Sequence, residues 1–467
     1  MSSEAVNLGA AFPARAVSVD ASTTNIASRL ERLPMTNYQR RIFAIIASAW
    51  LADQVDVALL TFLLGTIIAA FHLSPGQAGL LASMTFAGQL AGNVAAGAAA
   101  DRYGRRTVFQ VTMVVWGLAS FLAAGAWSAG ALMICRFLIG VGVGGEAPVA
   151  QAMVSEFVPA DVRGKYIAFM EGFWAVGYVL SGAISFFILP YLSWRWVFVV
   201  VGSLSLVVLL VRRGLPESPR WLAERGRFDE ADAVMRHIET EVERRTGQPL
   251  PPPAVFEIPP HAEHASPFAT VFSREYAMRT TMAFGLWFFA LIGFFGLNSW
   301  ITVLLREHSF TIIGSVGFVT LITIGGIPGF FTAAWMLERA GRKPTTALFL
   351  VASAAAAWAY GNWTGGQAGL FASGFVMQFF MFGMWSCLYA YTPELYPTRA
   401  RSTGAGLASA AGRVGAILGP VVVPMLVRVG GQAAAFEVGA AGFVLAALLV
   451  LTLGVETRGR PLEVVSA

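Results

Sequence analysis

The sequence predicts an all-α membrane protein in which twelve transmembrane helices form two related six-helix halves. Three observations predict it. The chain is 56% hydrophobic and only 13% charged, about half the charge of a soluble domain. Apolar runs of about 18 residues or more recur along it, each long enough to cross roughly 30 Å of hydrocarbon. Finally, two unrelated signatures repeat at nearly one offset. Asp101-Arg102-Tyr103-Gly104-Arg105-Arg106 returns 237 residues later as Glu338-Arg339-Ala340-Gly341-Arg342-Lys343. Glu156-x-x-Pro159-x-x-x-Arg163 returns 238 residues later as Glu394-x-x-Pro397-x-x-x-Arg401. Coincident offsets of two signatures mean internal duplication.

The elements follow in order. Residues 1–40 are a polar N-terminal tail without the apolar core of a cleavable signal, so the first span serves as its own insertion signal. Apolar windows place spans at 42–70, 77–100, 107–127, 130–158, 165–190 and 195–212, within a first bundle at 41–213. The window after Trp194 is set off only by the short turn Pro190-Tyr191-Leu192-Ser193. A polar loop occupies 214–277. Spans at 279–305, 311–337, 345–362, 367–393, 401–427 and 432–453 build a second bundle at 278–454, and 455–467 is a C-terminal tail. Of the 32 Lys and Arg, 27 fall on one face, three on the other and two inside the membrane. This is the positive-inside bias. It places both termini and the loop in the cytoplasm, and it removes nucleic acid as a partner despite a net charge of +5. Thirty Arg against two Lys, with abundant Ala and Gly, suggest a bacterial inner-membrane protein.

The middle loop contains its own structure. Ala231, Val234, Met235, Ile238 and Val242 keep helical spacing, with Asp229 placed to cap the start. Arg236, Glu239, Glu243 and Arg244 fill the other face, so an amphipathic helix lies on the cytoplasmic surface. Pro251-Pro252-Pro253 and Pro259-Pro260 make an extended linker. His261 and His264 there have no further ligands nearby, so no metal site is expected. Cys135 and Cys387 both fall within spans and read as small packing residues. The run Gly140-x-Gly142-x-Gly144-Gly145 follows no strand, which removes a nucleotide loop and leaves close helix packing.

Several motifs together place the chain in a family. Gly97-x-x-x-Asp101-Arg102-x-Gly104-Arg105-Arg106 resembles the loop 2–3 signature of the major facilitator superfamily. Arg136-x-x-x-Gly140-x-Gly142-x-Gly144-Gly145-Glu146 and Pro216-Glu217-Ser218-Pro219-Arg220-Trp221-Leu222 resemble its sugar-porter-related branch. So do Tyr391-Thr392-Pro393-Glu394-Leu395-Tyr396-Pro397 and the tail Glu456-Thr457-Arg458-Gly459-Arg460. The resemblance implies the major facilitator fold, two six-helix bundles rocking about a central site. The seventh span reads Trp287-Phe288-Phe289-Ala290-Leu291-Ile292-Gly293-Phe294-Phe295, without the Gln-Gln pair of sugar porters. Gly172, Gly177 and Gly182 in the fifth lack the following Pro of drug antiporters. Ala52-Asp53-x-x-Asp56, Gly412-Arg413-Val414-Gly415 and Gly419-Pro420 resemble instead the bacterial niacin transporter group. That group is similar in turn to synaptic vesicle protein 2 and the organic ion transporters. In that comparison an Arg at the place of Arg413 goes with organic anions and an acid with cations.

Ionisable groups at membrane depth are functional candidates, because a charge in hydrocarbon is costly. Six stand out: Asp53, Asp56, Arg136, Glu146, Glu171 and Arg413. At 1.5 Å per residue, Asp53, Glu146 and Arg413 fall near the midplane, about 18 Å from the inner end. Asp56 and Arg136 come out at about 21–24 Å and Glu171 at about 10 Å. Four acids against two bases leave two carboxylates without a base, and such a group favours its protonated form. Asp53 and Glu146, with Asp56, are therefore the expected proton-coupling groups, while Asp56–Arg136 forms an ion pair and Glu171 joins the charge network. Arg413 is expected to meet the substrate carboxylate bidentately. Trp174, Trp287, Phe294, Trp385 and Tyr389 offer stacking surface for an aromatic ring, and Asn298 and Gln378 offer amides. The family reading makes Asp101, Arg105, Arg106, Glu156 and Arg163, with Glu338, Arg342, Glu394 and Arg401, a cytoplasmic gate. Its ties, Asp101 to Arg105 and Arg106 and Glu156 to Arg163, favour the outward-open state.

The expected activity is proton-coupled uptake of a small aromatic monocarboxylate, nicotinate first, by alternating access. The alternatives are a benzoate-type acid, an organic cation or a non-transporting sensor. Partners are the organic anion, protons and the bilayer, with no cofactor and a monomeric protein. No deep histidine or nucleophile–base spacing supports an enzyme.

Overall fold

The structure, a computed structural model, describes residues 26, 28–212, 214–253, 266–305, 310–397 and 400–458, the side chains of 160 and 161 apart. Pro259, Pro260, His261, His264, His308, Arg399 and the tail from residue 459 lie outside the described residues, as does the N-terminal tail before Ile26.

The first half runs α1 (Asn37–Phe71), α2 (Pro75–Tyr103), α3 (Arg105–Ala124), α4 (Ala129–Phe157), α5 (Ala160–Ile188) and α6 (Trp194–Arg212). Local chemistry sets the starts. Thr36 opens α1 with a capping box to Gln39, and Ser74 opens α2 with one to Gln77, Pro75 being the first helical residue. Three short helices cross the arginine-rich face: α7 (Pro219–Glu224), α8 (Phe228–Thr246) and α9 (Pro267–Val271). The second half runs α10 (Ala277–Leu304), α11 (Ile312–Thr323), α12 (Gly326–Ala340), α13 (Arg342–Gly361), α14 (Gln367–Glu394) and α15 (Arg401–Leu453).

Nine stretches among the described residues are long and apolar enough to cross a membrane by length and composition. The Ala- and Gly-rich α2 and α13 have the length, 29 and 20 residues, with less apolar character. At 53 residues, α15 is about 80 Å long and is two spans, separated where Gly430 and Gly431 leave helical geometry, Gly431 with φ 69°. The twelve spans of the sequence are therefore present, with one difference. The eighth is two helices, α11 and α12, broken at Gly325. Pro328 lacks the N–H that would bond back one turn, and the Gly325-Gly326 pair before it relaxes the backbone. Asp229 also differs from expectation: it lies in the first turn of α8, and Arg227 holds the cap position.

Small residues bring helices together without a water-driven force. A Cβ on Gly144 would lie 2.5 Å from the Gln89 Cα, so α4 and α2 pack backbone to backbone. In the second half a Cβ on Gly419 would lie 2.6 Å from the Ile292 oxygen, so α15 seats equally closely on α10.

The duplication extends to the turns. Gly104 (φ 98°) and Gly341 (φ 105°) stand between paired spans in a conformation other residues resist. Beside each, a carboxylate caps the next helix. Glu217 accepts from the Arg106 N–H at 3.0 Å, and Glu456 accepts from the Arg342 and Lys343 N–H groups at 2.9 and 3.0 Å.

Candidate functional site

Three carboxylates and two guanidiniums lie fully buried in the first half: Asp53, Asp56, Glu146, Arg136 and Arg212. Asp56 and Arg136 form an ion pair at 2.6 Å, and Ser120 donates a second hydrogen bond to Asp56 at 2.5 Å. Glu146 is bonded to Arg212, whose guanidinium also donates to the Phe109 carbonyl at 2.5 Å and lies 3.4 Å from the centre of the Phe109 ring. Asp53 faces Glu146 carboxyl to carboxyl at hydrogen-bonding range and lies within electrostatic reach of Arg212 and Asp56, yet no N–H or hydroxyl of another residue donates to either of its oxygens.

Arg212 is the residue that sequence reasoning missed. It ends the apolar run of the sixth span, so it counts among the face arginines when spans are read alone. The 19-residue α6 is much shorter than the 29-residue α4. Glu146 stands eleven residues, about 16 Å, before the end of α4, level with the last residue of the shorter helix. That mismatch in length was the available signal. Glu146 is thus a paired acid, and Asp53 is the carboxylate left over.

Arg413 stands apart from this cluster, on α15 at the seam between halves. It is 8% exposed and donates to the Gln89 Oε1 of α2 at 2.6 Å. Its Nε has no partner, and no carboxylate among the described residues lies within ion-pair distance. Glu171, Tyr178 and Tyr389 are near enough to act on it electrostatically. Glu171 itself is buried and accepts from the Gln151 amide at 3.0 Å.

All five aromatic candidates meet in one cluster. Trp174 stacks on Trp385 with ring centres 4.6 Å apart, and Trp385 also faces Phe294 and Tyr389 at 5.4 and 5.8 Å. Trp287 lies 5.5 Å from Tyr389 and donates to Thr392 at 2.8 Å. Tyr178, Phe295 and Phe382 join them. The indole N–H groups of Trp174 and Trp385 are buried without acceptors. Asn298 and Gln378 are bonded to each other at 3.0 Å. The cavity lined by Thr61, Thr85, Arg136 and Tyr178 measures about 10 Å³, less than one water requires with comfort.

The turn residues assemble in two matching sets. Arg105 holds Asp101 at 2.7 Å and faces Glu156 at 3.8 Å, while Arg342 holds Glu338 and Glu394, each at 3.1 Å. Thr457 adds a hydrogen bond to Glu394. The expected Glu156–Arg163 tie is not formed. Arg163, across the Pro159 break from α4, instead reaches Glu31 at 3.1 Å. Glu31 also holds Arg220 of α7 at 2.6 Å, so residues 28–36 clamp the loop helices to the first half. In the same clamp Arg29 and Arg32 hold Glu239 of α8 at 2.6 and 2.5 Å. Burial pushes the Glu239 carboxyl up, but hydrogen bonds from Arg29 and Arg32 outweigh it and hold it below the ordinary range.

Comparison with known proteins agrees with this architecture. Residues 33–467 match the family described as sugar (and other) transporter. The niacin transporter NiaP of Acinetobacter baylyi is 34% identical over 440 residues, 94% of this chain and 99% of that protein. The synaptic vesicle 2-related protein of Bos taurus is 28% identical over 98% of this chain and 86% of its own length. Among solved structures, a partially occluded inward-open conformation of the Escherichia coli xylose transporter XylE superposes with a TM-score of 0.73. It covers 91% of this chain and 100% of its own, at 17% identity.

Proposed function

The chain belongs to the sugar (and other) transporter family of the major facilitator superfamily, and from that premise we propose that it takes up nicotinate together with protons. It is a multi-pass membrane transporter and not an enzyme. One observation carries the substrate class: a buried guanidinium, Arg413, at the seam of the two halves, hydrogen-bonded to an amide and to no acid. A buried charge left without a counter-ion is unfavourable, so the site favours an anion. The adjoining aromatic cluster suits a flat ring.

The orphaned Trp174 and Trp385 N–H groups favour nicotinate over benzoate. A pyridine nitrogen can accept from them, whereas a benzene ring leaves them unpaired at a cost of about 1–3 kcal/mol. An organic cation would face Arg413, and that repulsion disfavours it.

Proton coupling rests on charge balance. Three carboxylates and two guanidiniums share one buried cluster, which is neutral only with one proton bound. Asp53 is the group without a donor, and we assign the proton to it. With the arginine-rich face in the cytoplasm of a bacterial inner membrane, alternating exposure of this cluster and Arg413 moves substrate and proton inward. Asp53→Asn vesicles should still exchange labelled nicotinate but no longer concentrate it. Full accumulation by that variant would remove the coupling assignment.

A further inference from the structure

We propose that Gln89 occupies the carboxylate-binding place on Arg413 when the carrier is empty, so that only an anion displaces it and frees the two halves from each other at mid-depth. This rests on Arg413 being the anion site.

The two residues belong to different halves. Gln89 lies on α2 and is 2% exposed; Arg413 lies on α15. Their 2.6 Å hydrogen bond therefore crosses the seam. Gln89 is not free to wander, because Gly144 lets α4 press against its backbone. Its amide oxygen is a neutral, single acceptor facing a charged donor. A carboxylate offers two oxygens and a negative charge to the guanidinium fork, so it adds an ion pair and a second hydrogen bond to the single bond that Gln89 supplies. The acid thus wins the place from Gln89, while a carboxamide of the same ring offers nothing that Gln89 does not already supply. The groups facing Arg413 from the packed helices are Gln89 of α2, Glu171 and Tyr178 of α5, and Tyr389 of α14. Glu171, already bonded to Gln151, makes no ion pair with Arg413, which leaves Gln89 as the incumbent.

The consequence is a filter that reads charge and a release that follows binding. Nicotinate replaces an inter-half bond with a bond to itself, whereas nicotinamide leaves the seam tied.

Calorimetry on the purified full chain with nicotinate and nicotinamide tests this. Gln89→Ala removes the incumbent and should tighten nicotinate binding roughly two- to tenfold. Gln89→Glu installs a permanent rival and should weaken it at least about tenfold. Gln89→Glu should leave nicotinamide unmoved, whereas Gln89→Ala should let it bind more tightly, because the place on Arg413 is then open to a carboxamide oxygen. Wild-type affinity for nicotinate in Gln89→Glu, or weaker binding in Gln89→Ala, would overturn the proposal. Arg413→Gln separates the underlying reading: if it binds nicotinate normally, or if the wild type binds neither nicotinate nor benzoate, the substrate assignment falls. A substrate-free measurement then still decides the role of Gln89. Gln89→Glu should raise the melting temperature of the empty protein, and Gln89→Glu combined with Arg413→Gln should not. An unchanged melting temperature in the single variant would sink the proposal without any ligand.

Discussion

At the scale of single residues, the buried charges divide into pairs and remainders. Asp56–Arg136 and Glu146–Arg212 are fully buried pairs, and such pairs are weak stabilisers when intact but costly when halved. Arg212→Gln should therefore lose about 3–5 kcal/mol of stability, because Glu146 is left in the membrane interior beside Asp53. Adding Glu146→Gln should restore most of it, since the double variant has no stranded charge. Thermal unfolding in detergent reads both, and a single variant as stable as the double would show that Arg212 has no partner to strand. The deep acids, Arg136 and Arg413 were legible in the sequence because ionisable letters stand out in apolar runs. Arg212 was not, because its position at a span end looks ordinary until α4 and α6 are laid side by side.

Among the elements, the clamp formed by residues 28–36 on α7 and α8 is the feature least visible in the sequence. The amphipathic pattern of α8 was readable, and Ala231, Met235, Ile238 and Val242 are buried accordingly. Its polar face was expected to meet water, yet Glu239 is held by Arg29 and Arg32, more than 200 positions away. No local spacing encodes such a pairing. Hydrogen bonds and charge from these arginines hold Glu239 below the ordinary range despite its burial, and Arg163 and Arg220 do the same for Glu31. Because the folded values lie below the unfolded ones, the ties contribute fully above the ordinary carboxylate range of about pH 4. They are lost as pH falls through the lowered folded values. A nitroxide at the exposed Thr240 should keep the same spectral line shape from about pH 8 to about pH 5 and gain mobility only below about pH 4. Mobility rising already between pH 7 and 5 would mean that some other group controls the clamp. The turn motifs, by contrast, were legible as repeats, and their geometry adds a third repeat at Glu217 and Glu456.

Across the whole molecule, the halves share a scaffold but differ in chemistry: the deep acids belong to the first half and Arg413 to the second. Their seam is tight on the face opposite the arginine-rich turns. There Ser83 donates to the Ile417 carbonyl at 2.5 Å and Thr302 to that of Thr61 at 2.6 Å. The latch pairs Arg105–Glu156 and Arg342–Glu394 each run within one half, so they brace a bundle and do not themselves join the two. At Gly79 the seam brings backbone against backbone. A Cβ there would lie 2.6 Å from the Pro420 oxygen and 3.1 Å from the Val421 Cα, both backbone atoms that cannot swing aside. Gly79→Leu should therefore cost the closed seam about 1–3 kcal/mol, enough to shift a two-state population roughly five- to 150-fold. Spin labels at Trp127 and Thr364, exposed on the turns of that face in the two halves, should move apart in the variant. Uptake should fall while nicotinate binding persists, because Arg413 and Gln89 lie deeper than the wedge. An unchanged distance distribution together with full uptake would show that the halves close by some other contact and that Gly79 only fills space.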